Sequence, residues 1–209
     1  MSHVIAATEA LKAVLILMHG YGTCADDFMP IGNFIAQKMK SVEIHVVDGY
    51  QEAYGTKRRK WFNLESDNSA DWKQDIQPAG EKMREYIKMV LQNHPELTRK
   101  NLIIAGFSQG AMMALHVGLN ESLGGVIAFS GVLVDDSVIK KNDGTTQVLL
   151  IHGNKDKVLT VTEMQDSCEK LFKSNIKYEI HIEPNLEHAI NLNCLNKANT
   201  FISNIVQEP

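Results

Sequence analysis

Six short runs of aliphatic and β-branched residues recur along the chain: VLILMH at 14–19, EIHVVD at 43–48, NLIIAG at 101–106, GVIAFS at 125–130, QVLLIH at 147–152 and YEIHIE at 178–183. Nearly unbroken hydrophobicity over about 4–8 residues is what a strand covered on both faces requires, so the runs predict a mostly parallel sheet. Between them the period changes. Ala79, Met83, Tyr86, Ile87, Val90 and Leu91 recur at steps of three and four and share one helix face, with Pro78 at its expected start and Pro95 at its stop. Residues 26–39, 109–119, 161–173 and 195–206 carry similar helical spacing. Strand and helix alternate, and parallel neighbours need crossover helices on both faces. The expected fold is an open, twisted, mostly parallel α/β sheet whose ligand sites gather at the carboxyl ends of the strands.

No repeat, low-complexity tract or linker interrupts the pattern, so residues 1–209 read as one domain. The apolar run at 13–18 is too short to span a bilayer and only Lys12 precedes it, so neither a transmembrane helix nor a signal peptide is expected and the chain is placed in the cytoplasm. Three cysteines, Cys24, Cys168 and Cys194, form an odd set without CxxC spacing, as reduced thiols do. A net charge of −4 argues against nucleic acid as a partner, because neutralising phosphates takes a basic surface. The one basic cluster, Lys57, Arg58, Arg59 and Lys60, reads as a solvated loop.

The chemistry enters at AGFSQGAMMA, 105–114. Gly106, Phe107, Ser108, Gln109 and Gly110 match G-x-S-x-G between a predicted strand and a predicted helix. A serine on such a turn is lifted clear of the sheet, and the first helix N–H groups point at whatever it attacks. The rival reading is a tight turn in which Ser108 simply caps the helix. A serine hydroxyl also needs an imidazole to take its proton and a carboxylate to orient that imidazole, in the chain order Ser, Asp or Glu, His on this fold. Asp156 in LLIHGNKDKV and His188 in IEPNLEHAI follow the last two strand runs and supply that order; Asp135 and Asp136 are rival acids. Of the remaining histidines, His3, His45, His94, His116 and His181 read as structural or surface groups, and His19 and His152 as loop-shaping ones. Ligand spacing such as HExxH is missing from the sequence, so neither metal nor cofactor is expected. Two backbone donors would hold an oxyanion: the N–H of Gln109 and that of Tyr21 in the HGYG loop at 19–22.

In LILMHGYG, KWFNLE, IAGFSQGAMMAL, GVIAFSG, LLIHGNKDKV and EHAI, the chain resembles the small serine esterases of the α/β-hydrolase superfamily that group acyl-protein thioesterases with carboxylesterases and lysophospholipases. The resemblance runs from about residue 14 to 206. It implies an α/β-hydrolase fold, a Ser108–Asp156–His188 triad, oxyanion donors at Tyr21 and Gln109, and a small-molecule ester or thioester as substrate. The chain departs from the family's usual pattern at Lys157, Glu187 and Asn63, and in VVDGYQ where a Pro-rich stretch is common. Only residues 131–146 lie where a lid would be inserted, too few for several helices, so an open cleft for short or medium acyl chains is expected. Trp61 and Phe62 either line the acyl site or anchor their loop to the core, and Arg59 either meets an anionic substrate group or pairs with the chain's own acids. The competing functions are a ligand-binding protein without turnover on the same fold, and an acyltransferase or peptidase using the same triad.

Overall fold

The computed structural model describes residues 2–64 and 69–207. In chain order its elements are β1 (Ser2–Ile5), β2 (Ala13–Met18), α1 (Ala25–Lys38), β3 (Val42–Val47), β4 (Gln51–Glu52), β5 (Arg59–Lys60), α2 (Ser69–Asn93), β6 (Leu102–Phe107), α3 (Gln109–Asn120), β7 (Gly125–Phe129), β8 (Gln147–Gly153), α4 (Val161–Lys173), β9 (Lys177–Glu183) and α5 (Leu192–Gln207). Seven strands form one sheet in the order β1-β3-β2-β6-β7-β8-β9. Every neighbouring pair is parallel except β1 with β3. The six apolar runs are thus β2, β3 and β6 to β9, shifted by a residue or so at their ends.

Alternation along β2 explains why its run is unbroken. Val14, Ile16 and Met18 join the apolar layer under α2, α3 and α4, whereas Ala13, Leu15 and Leu17 join the layer under α1 and α5. Successive side chains point to opposite faces, both faces are covered, and all six residues are buried. Fully burying an aliphatic side chain stabilises by about 1.5–3 kcal/mol. A polar residue at any of these positions would forfeit that.

Three features depart from the sequence expectation. β1, a four-residue antiparallel edge, carries too little pattern to be read in advance. A two-stranded hairpin of β4 and β5 occupies the segment expected as loop. Helix α2 begins at Ser69, so Pro78 lies inside it and does not open it. An interior proline costs a helix about 3 kcal/mol or more, but the apolar stripe continues upstream: Ile76 is fully buried and Trp72 packs on the same cluster. Packing on the sheet, which outweighs local propensity, carries the helix through.

Among the described residues, the connection from β7 to β8 holds only a short 3₁₀ turn, Asp136–Lys141, where a lid would stand. Among the same residues, no helix is long and apolar enough to cross a membrane.

Candidate active site

The turn after β6 is strained. Ser108 sits at φ 53° and ψ −117°, a region that costs a non-glycine residue on the order of 1–3 kcal/mol. Its N–H donates to the Phe129 carbonyl at 2.9 Å, and its own carbonyl accepts from Ala111 N at 2.9 Å and Met112 N at 3.1 Å. The flanking glycines make the bend possible: a Cβ on Gly110 would lie 2.5 Å from the carbonyl oxygens of both Met18 and His19, and one on Gly106 would collide with the Gly110 carbonyl. Ser108 occupies the N-cap position of α3, yet its side chain makes no capping bond, and among the described residues its hydroxyl has no hydrogen-bond partner. Half-buried and uncommitted, that hydroxyl is not serving the helix.

Asp156 and His188 meet. His188 Nδ1 lies 2.7 Å from Asp156 Oδ2, while Asp156 Oδ1 accepts from Val158 N at 2.9 Å and Leu159 N at 3.0 Å. Burial by itself would raise the Asp156 pKa; hydrogen bonds from His188, Leu159 and Val158 outweigh it and hold the carboxyl below its ordinary range. An ionised carboxylate only accepts, so His188 Nδ1 carries the proton and Nε2 is the ring's free base. The imidazole packs on the ring of Phe107, the residue before Ser108, with centroids 4.8 Å apart. The loops bearing the two groups are tied together: Asn154 N donates to Glu183 O at 3.0 Å, Lys155 N to Leu186 O at 2.9 Å, and Asn185 N to Asn154 Oδ1 at 2.7 Å. A Ser108–His188 hydrogen bond is not formed among the described residues. Catalytic bonds of this kind commonly tighten only when substrate is bound.

The rival acids are engaged elsewhere. The buried Asp135 carboxylate receives Lys73 Nζ at 2.8 Å, Gln77 Nε2 at 2.7 Å and Ser137 N at 3.0 Å, and Asp136 meets the same lysine at 3.4 Å. Burial alone would raise the Asp135 pKa, but Lys73 and Ser137 bring it down to about 2. A depressed carboxyl pKa stabilises the fold above the unfolded value and ceases to do so as pH falls through the folded one. Asp135 should therefore contribute about 2 kcal/mol at neutral pH that disappears between roughly pH 4 and pH 2. Urea unfolding across that window should show this loss in the natural chain and much less of it in Asp135→Asn.

The HGYG loop is braced by the β4–β5 hairpin. Gly22 N donates to Arg59 O at 2.9 Å and Arg59 N to Thr23 O at 2.8 Å. His19 is fully buried: Gly49 N donates to its Nε2 at 2.8 Å, so its proton sits on Nδ1, which meets Gly20 O at 2.7 Å. Burial depresses its pKa, against the Gly20 carbonyl and Asp48, and the neutral ring shapes the loop as expected. The bracing leaves Tyr21 N–H without an acceptor among the described residues, and Gln109 N–H likewise. Two unpaired amides, one from each expected donor, are thus present at this edge. The basic cluster is not a bare solvated loop: Arg59–Lys60 is β5, Arg58 pairs with Asp27 at 3.2 Å, and Lys60 Nζ reaches Asn63 at 2.7 Å and lies over the Tyr21 ring. Within the cluster Lys57 and Arg58, at the hairpin tip, are exposed, whereas Arg59 and Lys60 are half-buried.

Trp61 and Phe62 have no accessible surface. Their contacts are those of anchors: Trp61 Nε1 donates to His19 O at 2.8 Å, Trp61 N donates to Gln109 Oε1 at 2.9 Å, and Gln109 Nε2 donates to Phe62 O at 2.7 Å. Rings without exposed surface form no wall for an acyl chain here, so the anchoring alternative describes them. The side chain of Gln109, unremarked in the sequence, therefore fastens the hairpin to the elbow. Gln109→Ala should strand the buried Trp61 N–H and Phe62 C=O, each at about 1–3 kcal/mol. Chemical denaturation should register that loss of stability.

Sequence reasoning also missed Glu183. Its carboxylate accepts from Asn191 Nδ2 and Asn193 Nδ2, both at 2.9 Å, and pairs with His181 Nε2 at 2.8 Å. Hydrogen bonds from Asn191, Asn193 and His181 bring its pKa down to about 2. Cys194 Sγ lies near His181 and Glu183, with ligand atoms within 4.8 Å of one another. Burial raises the Cys194 pKa, which keeps it a thiol, and the carboxylate is already occupied. The cluster clamps both ends of the His188 loop.

Strand order, helix placement and the elbow after β6 together define an α/β-hydrolase fold. The chain belongs to the phospholipase/carboxylesterase family, whose model matches residues 1–206. It is 24% identical over 188 residues to acyl-protein thioesterase 1 of Saccharomyces cerevisiae, covering 79% of this chain and 83% of that one. To lysophospholipase-like protein 1 of Mus musculus it is 26% identical over 113 residues, or 51% of this chain. That match spans 47% of the mouse protein, about half its length. The crystal structure of esterase PE8 superposes with a TM-score of 0.87 at 28% identity, over 98% of each chain. The carboxylesterase of Bacillus cereus shares the fold, with a TM-score of 0.77 at 17% identity over 98% of this chain and 93% of that one.

Proposed function

We propose that the chain is a serine hydrolase that cleaves carboxylic esters or thioesters of short to medium acyl chains through an acyl-enzyme. The observation that carries this reading is the Ser108 hydroxyl, held on a strained elbow without a capping role at the same edge of the sheet as the Asp156–His188 pair. Ser108 Oγ attacks the acyl carbonyl as its proton passes to His188 Nε2, and Asp156 stabilises the imidazolium. The N–H groups of Tyr21 and Gln109 receive the negative oxygen; one such donor is typically worth about 2.7–4 kcal/mol in the transition state. The imidazolium then protonates the departing alcohol or thiol. Water, deprotonated by the same ring, releases the acid and restores Ser108.

The lid-free connection from β7 to β8 among the described residues supports substrates that enter an open cleft. Three free cysteines support a reducing compartment, the cytoplasm in this reading. A fluorophosphonate probe should label the folded protein at Ser108, and p-nitrophenyl esters graded by chain length should be turned over with a preference for the shorter members. Folded protein that neither labels nor turns over any ester, acyl-CoA or peptide would identify a binding protein on a hydrolase fold. Turnover confined to peptides would move the reading to a peptidase.

A further inference from the structure

Among the described residues, β9 is the last strand of the sheet and pairs only with β8. A strand end of this kind offers a free row of backbone donors and acceptors, and proteins usually blunt it. Here it is not blunted by burial. Ile180 is 44% exposed and Ile182 37%, while Phe172, on the α4 helix packed against this strand, is 70% exposed.

Side chains alternate across β9. Tyr178 packs into the apolar layer beneath α4, so Tyr178, Ile180 and Ile182 share that face. The other face carries Lys177, Glu179, His181 and Glu183, and meets α5 through Glu179–Lys197 at 2.7 Å and Glu183–Asn193 at 2.9 Å. The strand Lys-Tyr-Glu-Ile-His-Ile-Glu matches its own reverse. Run antiparallel to itself about Ile180, it sets Lys177 opposite Glu183, Glu179 opposite His181, Tyr178 opposite Ile182, and Ile180 opposite Ile180. Cross-strand pairs directly opposite each other share a face, so apolar meets apolar on one side, while on the other opposite charges face each other beside the intrachain partners of Glu179, His181 and Glu183. A shift of one residue would place each side chain on the wrong face.

The geometry points to a second copy of this chain as the occupant of the β9 edge: a two-fold dimer in which two β9 strands pair antiparallel about Ile180 and join the two sheets into one. A self-complementary patch is what a two-fold interface demands, since residue i of one copy must fit residue j of the other and the reverse. The other sheet edge, β1, is four residues long and has no acid to face its histidine. Because the strands run oppositely, the carboxyl ends of the two sheets point away from each other. Pairing therefore leaves both candidate sites uncovered, and the proposal is independent of the proposed chemistry.

Sedimentation velocity of the full chain should give a species of twice the chain mass. Ile180→Asp, which sets like charges opposite each other at the two-fold, should give the monomer with an unchanged circular dichroism spectrum. Register is tested separately. Opposed residues of an antiparallel pair lie about 4.5–5.5 Å apart at Cα, within disulfide range. Ile180→Cys should thus form an interchain disulfide on mild oxidation, above the background of the natural cysteines. Ile182→Cys, facing Tyr178, should not. A natural chain that stays monomeric at every concentration, a dimer that survives Ile180→Asp, or equal cross-linking at 180 and 182 would each overturn the proposal. Should the aspartate variant fail to fold, the cysteine pair decides alone.

Discussion

Ser108→Ala should reduce kcat on a p-nitrophenyl ester by about 10⁶-fold, as loss of the nucleophile does where a triad acts as a unit. Unfolding should not be the cause: alanine keeps the Cβ, and among the described residues the Ser108 hydroxyl makes no hydrogen bond whose removal would cost stability. The melting temperature should hold or rise slightly. His188→Ala should lower kcat comparably, and the double variant should be little worse than either single one, because nucleophile and base complete the same step. Losses that multiply would mean the two residues act independently, and the proposed mechanism would be wrong.

Asp156→Asn should lower kcat by about 10⁴-fold, with KM changed far less. The physical reason lies in the 2.7 Å contact with His188 Nδ1. Asparagine retains an acceptor for Val158 N and Leu159 N, but its amide can present N–H to the imidazole, favouring the tautomer whose Nε2 is protonated. Such a ring cannot accept the serine proton. Single-turnover acylation kinetics would test this directly. An unaltered rate would remove Asp156 from the chemistry, and Asp135 could not readily replace it while held by Lys73 and Gln77.

Ser108 and Asp156, the proposed nucleophile and acid, could be placed from sequence because each follows a run so apolar that only a doubly covered strand accommodates it, β6 or β8; His188, the proposed base, follows β9, whose run forms a half-exposed edge strand. Their positions along the chain thereby became positions on one sheet edge. Resemblance to a known family agreed with that choice. What pattern could not convey was partnership between segments distant in sequence. Nothing local to Trp61 and Phe62 distinguishes a ring that lines a cleft from one sunk beneath it; the hydrogen bonds to His19 and Gln109 do. Asp135 looked available until Lys73 arrived from α2, and Glu183 looked like an ordinary strand end until Asn191 and Asn193 closed on it. Pro78 misled because a local helix breaker was weighed without the apolar stripe that continues past it to Ile76 and Trp72.

The bolt between Gln109 and the backbone of Trp61 and Phe62 bears on how substrate scope can be redesigned. Mutant libraries aimed at residues 59–62 change a segment whose register is set from the elbow, so most members would disturb Ser108, the proposed nucleophile, along with the hairpin. Diversity confined to the outward tip at 54–58, including Tyr54, alters the rim without loosening that fastening. Recombination with relatives would do best to transfer 59–62 and 109 as one block.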